Sequence, residues 1–253
     1  MMFNLLAAGF TRLFKSWYFW GILLLVSLMN LYLGLVNRKQ IIELFPGQMP
    51  GAILFDHTMF IGIATAILVG LFIGDEYSDK TVRNKLIGGL NRVTVYFSYY
   101  FVVFIAMVIC HILAMWTGYL FGRFCIGTLT ISFSLLFKHT IYSVFAIAAM
   151  CAVSLCIVIF TQNKAIGCGV ANCVATCCTF GGNAIVGMLL THETQSRVWF
   201  DFLPEAYLGK IRSYEDLVVN ECLTEVSLPI GCVCVCLVFL VIGVVIFRHK
   251  DIR

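Results

Sequence analysis

Six stretches of this chain, each 18 to 30 residues long, contain no Asp, Glu, Lys or Arg: 16–37, 57–74, 93–122, 139–163, 165–192 and 226–247. A helix needs roughly 20 apolar residues to cross a bilayer at about 1.5 Å per residue. No other feature narrows the possible folds as much. The composition agrees, with 61% hydrophobic and 12% charged residues and a mean hydropathy of +0.96. Soluble domains are closer to half apolar and carry about a quarter charged residues. Too little polar surface is left here to coat a globule. A soluble enzyme, a disordered scaffold and a nucleic-acid-binding domain are thereby excluded. The predicted fold class is all-α: one polytopic membrane domain over residues 1–253, with six transmembrane helices and the lipid bilayer as solvent. A seventh uncharged stretch, 124–137, is too short to cross and reads as interfacial or as the lead-in to the fourth span.

An even number of spans puts both termini on one side, and the positive-inside rule chooses which. Residues 1–15, 75–92, 164 and 248–253 carry ten of the seventeen basic residues and four acids. The opposite loops hold seven basic residues and nine acids, seven of the acids in the single stretch 193–225. Both termini are therefore expected in the cytoplasm. Phe3, Leu6, Phe10, Leu13, Phe14 and Trp17 recur at three and four residues, while Asn4, Thr11, Arg12 and Lys15 fill the other side. Residues 1–15 thus read as an amphipathic interfacial helix.

The twelve cysteines read as small apolar residues. Cys232, Cys234 and Cys236 alternate, so on a helix they diverge, and no second pair lies at zinc spacing. The expectation is no metal, no cofactor and no catalytic residue in this chain. Neither a His-Glu-x-x-His nor a Gly-x-Ser-x-Gly appears.

Small residues recur at every fourth position in two spans: Gly62, Ala66, Gly70 and Gly74 in the second, and Gly167, Ala171, Ala175, Thr179, Asn183 and Gly187 in the fifth. Such ridges let helix backbones approach closely in lipid. They serve packing within the chain, a protomer–protomer seam or the wall of a transport path. Asn172 and Asn183 favour the last two, because a deep amide wants a partner or water. The fifth-span candidates for path or seam are Ala171, Asn172, Ala175, Thr179 and Asn183. His111, near the middle of the third span, is expected to bond a carbonyl or hydroxyl of a neighbouring helix. No intramembrane carboxylate faces it, which weighs against a proton-driven carrier.

The 35-residue segment 191–225 is the longest piece between spans. Pro204 suits the first position of a helix, and Ser213 with Asp216 resembles a capping box. Two short amphipathic helices, divided near residues 209–213, are predicted to re-enter the outer leaflet.

Between the second and third spans, Glu76 with Lys80 and Asp79 with Arg83 are acid-to-base pairs at i, i+4, the favourable order on a helix. Val82 and Leu86 form an apolar edge. This predicts an exposed helix of about three turns, braced by two ion pairs of roughly 0.2–0.5 kcal/mol each.

The run Gly74-x-Glu-Tyr-x-x-x-Thr-x-Arg-Asn-Lys-Leu86, with six spans, an N-terminal interfacial helix and the ending Phe247-Arg-His-Lys-Asp-Ile252, resembles the type 2 ABC exporter permeases. The resemblance implies that residues 75–92 form the coupling segment that docks on a separate ATP-binding subunit. Its site residues would be Asp75, Glu76, Asp79, Lys80, Thr81, Arg83 and Asn84, with Glu76 the first choice for the docking contact. Many members have Gly where this chain has Lys80, which puts the local turn in question. The family's helical re-entrant pair before the last span corresponds to residues 200–225. No P-loop sequence occurs, so ATP and Mg would be bound by the partner. The resemblance further implies a second permease copy as a homodimer, and export of, or immunity to, an amphipathic or antimicrobial peptide. A drug, lipid or glycan substrate is the alternative, followed by a secondary carrier or membrane-embedded enzyme.

Overall fold

A computed structural model describes residues 2–44, 47–49, 51–129, 132–191, 203–217 and 229–250. Helices α1 (Met2–Lys15), α2 (Trp17–Leu44), α3 (Ala52–Phe55), α4 (Thr58–Ser78), α5 (Thr81–Ile87), α6 (Arg92–Cys125), α7 (Phe133–Thr161), α8 (Lys164–Thr191), α9 (Pro204–Leu217) and α10 (Ile230–His249) build the frame. Strands β1 (Gln48–Met49) and β2 (Thr128–Leu129) add a two-residue parallel pairing. Among the described residues, six segments are long and apolar enough to cross a bilayer: Trp17–Lys39, Ile53–Ser78, Arg92–Cys125, Phe133–Thr161, Lys164–Gly182 and Ile230–His249. They mark a multi-pass membrane protein. The stretch 124–137 divides between the end of α6, β2 and the first turns of α7.

The ends of these helices follow local chemistry. Asn91 caps α6 by accepting from the Val93 N–H at 2.9 Å, and Asn163 caps α8 by accepting from Ala165 and Ile166 at 3.0 and 3.2 Å. Each satisfies donors that have no partner inside the helix. Arg92 donates to the carbonyls of Phe247, Arg248 and Lys250, at 2.8–3.2 Å, tying the start of α6 to the end of α10.

Helix α4 is the axis of the bundle, with 72% of its span buried, against 28% for the spans in α2 and α8 and 22% for α10. Its small-residue ridge permits this. A Cβ on Gly70 would lie 2.8 Å from the Cys168 backbone, and one on Gly74 would meet Lys164 at 2.7 Å. At Gly70 and Gly74 the second-span ridge is thus an intramolecular seam between α4 and α8. Helix α2 lies on α6, where Asn30 donates to the Ala114 carbonyl at 2.7 Å, and α10 lies on α7.

Two sequence expectations are corrected. The segment before the last span does not divide near 209–213: α9 runs through Ser213 and Asp216 to Leu217 as one helix. A glycine inside a helix costs about 1 kcal/mol, and burial of Ala206, Tyr207, Leu208 and Ile211 offsets it at Gly209. Residues 192–202 and 218–228 of that segment lie outside the described residues. Between the second and third spans there is also no continuous three-turn helix. The second span continues as helix to Ser78, the chain turns at Lys80, and α5 begins at Thr81.

Candidate functional site at the 75–92 turn

Lys80 has φ 56° and ψ 18°, the left-handed conformation, which costs an L-residue roughly 1–2 kcal/mol and a glycine almost nothing. The position is one that suits glycine, and Lys80 accepts the strain. That turn rotates the helix axis, so Glu76 and Lys80 do not pair as sequence spacing suggests. Instead, Glu76 is 1% exposed and is held from three directions. Arg12 of α1 donates to its Oε1 at 2.8 Å. Thr81 Oγ at 2.6 Å and Lys85 Nζ at 2.8 Å, both of α5, and Tyr99 OH of α6 at 2.9 Å all donate to Oε2. Lys85 also donates to the Tyr99 hydroxyl at 3.2 Å and sits 4.7 Å above its ring. An ionised carboxylate only accepts, so these four donors suit it in its charged form.

The neighbouring acids are also paired. Asp79 takes the second Arg12 nitrogen at 2.8 Å, and Asp75 takes Lys164 at 2.5 Å. The anticipated Asp79–Arg83 pair is therefore replaced by a long-range one. Three acids are matched by Arg12, Lys85 and Lys164, and among the described residues neither Lys80 nor Arg83 makes an ion pair. The sequence reading missed Arg12, Lys85 and Tyr99 as partners of this segment. The only signal was Arg12 on the polar side of α1.

This clamp fixes α5. Val82 is buried and Leu86 packs on the core, while Arg83, Asn84 and Ile87 face outward, at helical positions i, i+1 and i+4, and Lys80 is exposed at the turn before them. Ile87 is 73% exposed. The result is a rigidly mounted, cationic face with an apolar tip. The candidate residues therefore separate into two groups: Glu76 and Thr81 face inward, whereas Asp79, Lys80, Arg83 and Asn84 are at the surface, with Asp75 partly exposed.

Of the fifth-span candidates, Ala171, Ala175 and Thr179 face the interior of the same chain. Ala171 and Thr179 are buried, Ala175 packs against the core, and Asn172 donates to the Cys168 carbonyl of its own helix at 2.8 Å. Helices α4, α7 and α9 of the same chain pack against α8 here. The side chain of Asn183 lies outside the described residues.

His111 does bond a neighbouring helix, and it is not alone. Its Nε2 lies 2.7 Å from Ser143 Oγ on α7, and its Nδ1 lies 2.7 Å from His57 Nε2 at the start of α4. Every link needs one proton, so both rings can stay neutral and no charge is left in the apolar core. His57 was missed because it stands at a span end. Among the described residues the cysteines are free thiols, and no group of three His, Cys, Asp or Glu is placed to hold a metal.

No protein-family profile matches the chain, and no curated protein matches it significantly.

Proposed function

We propose that this chain is the membrane-spanning permease subunit of an ATP-driven exporter of the type 2 ABC class, working as a homodimer in a bacterial cell membrane with both termini cytoplasmic. The observation that carries the proposal is the outward face of α5, held on α1, α4 and α6 by the Glu76 clamp. Work done by a nucleotide-binding partner must enter the spans through something stiff, and α5 is anchored at once to the N-terminal helix, the central span and the third span. ATP and Mg belong to the partner, and this chain contributes no catalytic group. Helix α1 rests in the inner interface, and α9 re-enters the membrane from the outer side. The cargo is an amphipathic or antimicrobial peptide-like molecule; a drug, lipid or glycan is the alternative.

Docking falls to Lys80, Arg83, Asn84 and Ile87, not to Glu76. The test is co-purification of an ATP-binding-cassette subunit, co-expressed from a neighbouring reading frame, with the tagged chain. Wild type should retain it, and Arg83→Glu should lose it while still inserting and melting like wild type. Equal retention by both would reduce α5 to a solvated connector.

A further inference from the structure

Glu205 is the one acid in the described part of α9's first turn, and it is 7% exposed. Its Oε1 rests against the Gly62 Cα so closely that a Cβ there would overlap it. The backbone of α9 also presses close to Gly182, where an added Cβ would lie 2.8 Å from the Ala206 nitrogen. Gly62 of the α4 ridge thus makes room for this carboxyl, and Gly182 of α8 for the backbone beside it. It borders a cavity of about 50 Å³, shared by α4, α7, α8 and α9 and walled by Gly62, Ser154, Ala171, Ala175 and Cys178. Val153, Ile157 and Val174 form a half-exposed rim.

Among the described residues, the polar or titratable groups facing Glu205 are Thr179 and Cys178 of α8 and Ser154 of α7; α4 offers only Gly62. No described cation reaches it. Burial without a countercharge disfavours the anion and pushes the carboxyl up to about 8, against a small opposing effect of the Thr179 hydrogen bond. Burial therefore favours the neutral acid here until a cation reaches it.

We propose that Glu205 and its cavity form a binding site for a primary ammonium group. Donor geometry selects the cation. An ammonium turns its N–H donors in three directions, whereas a guanidinium's planar fork pairs with a carboxylate alone. Thr179 and Ser154 supply hydroxyl oxygens for the remaining N–H donors. No covalent bond changes on binding: the ammonium arrives charged, the carboxyl gives its proton to solvent, and an ion pair remains. Ammonium binding must therefore release one proton and tighten about tenfold per pH unit while the acid is neutral. The site deepens the export reading by making lysine-like or amino-lipid-like amines the recognised part of the cargo, and it rests on that reading only in calling the amine cargo.

The test is calorimetry of n-hexylamine and n-hexylguanidine binding to the purified chain in lipid nanodiscs, in two buffers of different ionisation enthalpy. Wild type should bind hexylamine saturably with release of about one proton, and hexylguanidine at least about tenfold more weakly. Glu205→Gln should lose at least about tenfold in hexylamine affinity, and proton release with it. Should that variant fail to fold, Ala175→Leu fills the cavity wall, keeps the carboxyl and should abolish binding equally. Hexylamine binding within about twofold of wild type in a folded variant, or without proton release, overturns the site. If the amine site holds but no ATP-binding subunit co-purifies with wild type, the exporter reading fails and the site stands.

Discussion

A carboxylate whose side chain is 2% exposed is tolerable in an apolar bundle only while its partners hold. Removing one member of a fully buried charged network costs about 3–5 kcal/mol. Arg12 and Lys85 retain 34% and 27% side-chain exposure, so solvent screens part of that cost. We expect Glu76→Ala to destabilise the chain by about 2–3 kcal/mol, seen as a lower thermal midpoint in detergent. Asp79→Ala, at 59% exposure, should stay within about 0.5 kcal/mol of wild type. Local sequence could not give this ranking. Glu76 has a base four positions on, but besides Thr81 its actual partners are 64, 23 and 9 positions away, and only the folded bundle brings those three to it. His57 and His111, 54 positions apart, were hidden for the same reason.

At the level of elements, the spans were legible because a charge in hydrocarbon is expensive, so the uncharged runs mark the helices directly. The small-residue ridges were legible as ridges, but not what they face, since periodicity gives a helix its stripe without naming the neighbour. The turn at Lys80 carries no signal in the lysine itself, and only the resemblance, with glycine at that position, put the local turn in question. The packing of α4 on α8 has a simple check. Gly70→Leu puts bulk against the Cys168 backbone and should cost about 1–3 kcal/mol. Gly169→Leu on the same partner helix meets nothing within 4 Å and should leave the isolated chain's melting unchanged. Equal losses in both would mean that α8 is turned differently.

In the whole molecule, burying Ala171, Ala175 and Thr179 inside the chain leaves a second stripe of α8 uncovered. Ala165, Gly169, Cys173, Cys177 and Gly181 all lie on the exposed surface at intervals of four. Small residues on a lipid-facing helix allow close approach of another helix, and a two-fold axis along this stripe would put like residues of two copies together. Copper-catalysed oxidation should then cross-link the chain through Cys173, whose Cα atoms would come within about 7 Å. Replacing both Cys173 and Cys177 of this stripe with serine should abolish the product. A cross-link that persists would place the dimer on another face, such as α10.

The exporter reading is tested most directly by the ATP hydrolysis rate of the co-expressed cassette subunit in proteoliposomes, with no permease, with wild type and with Arg83→Glu. Wild type should raise the rate severalfold, and Arg83→Glu should return it to the permease-free value while remaining folded. A rate that is the same in all three preparations would contradict coupling through α5.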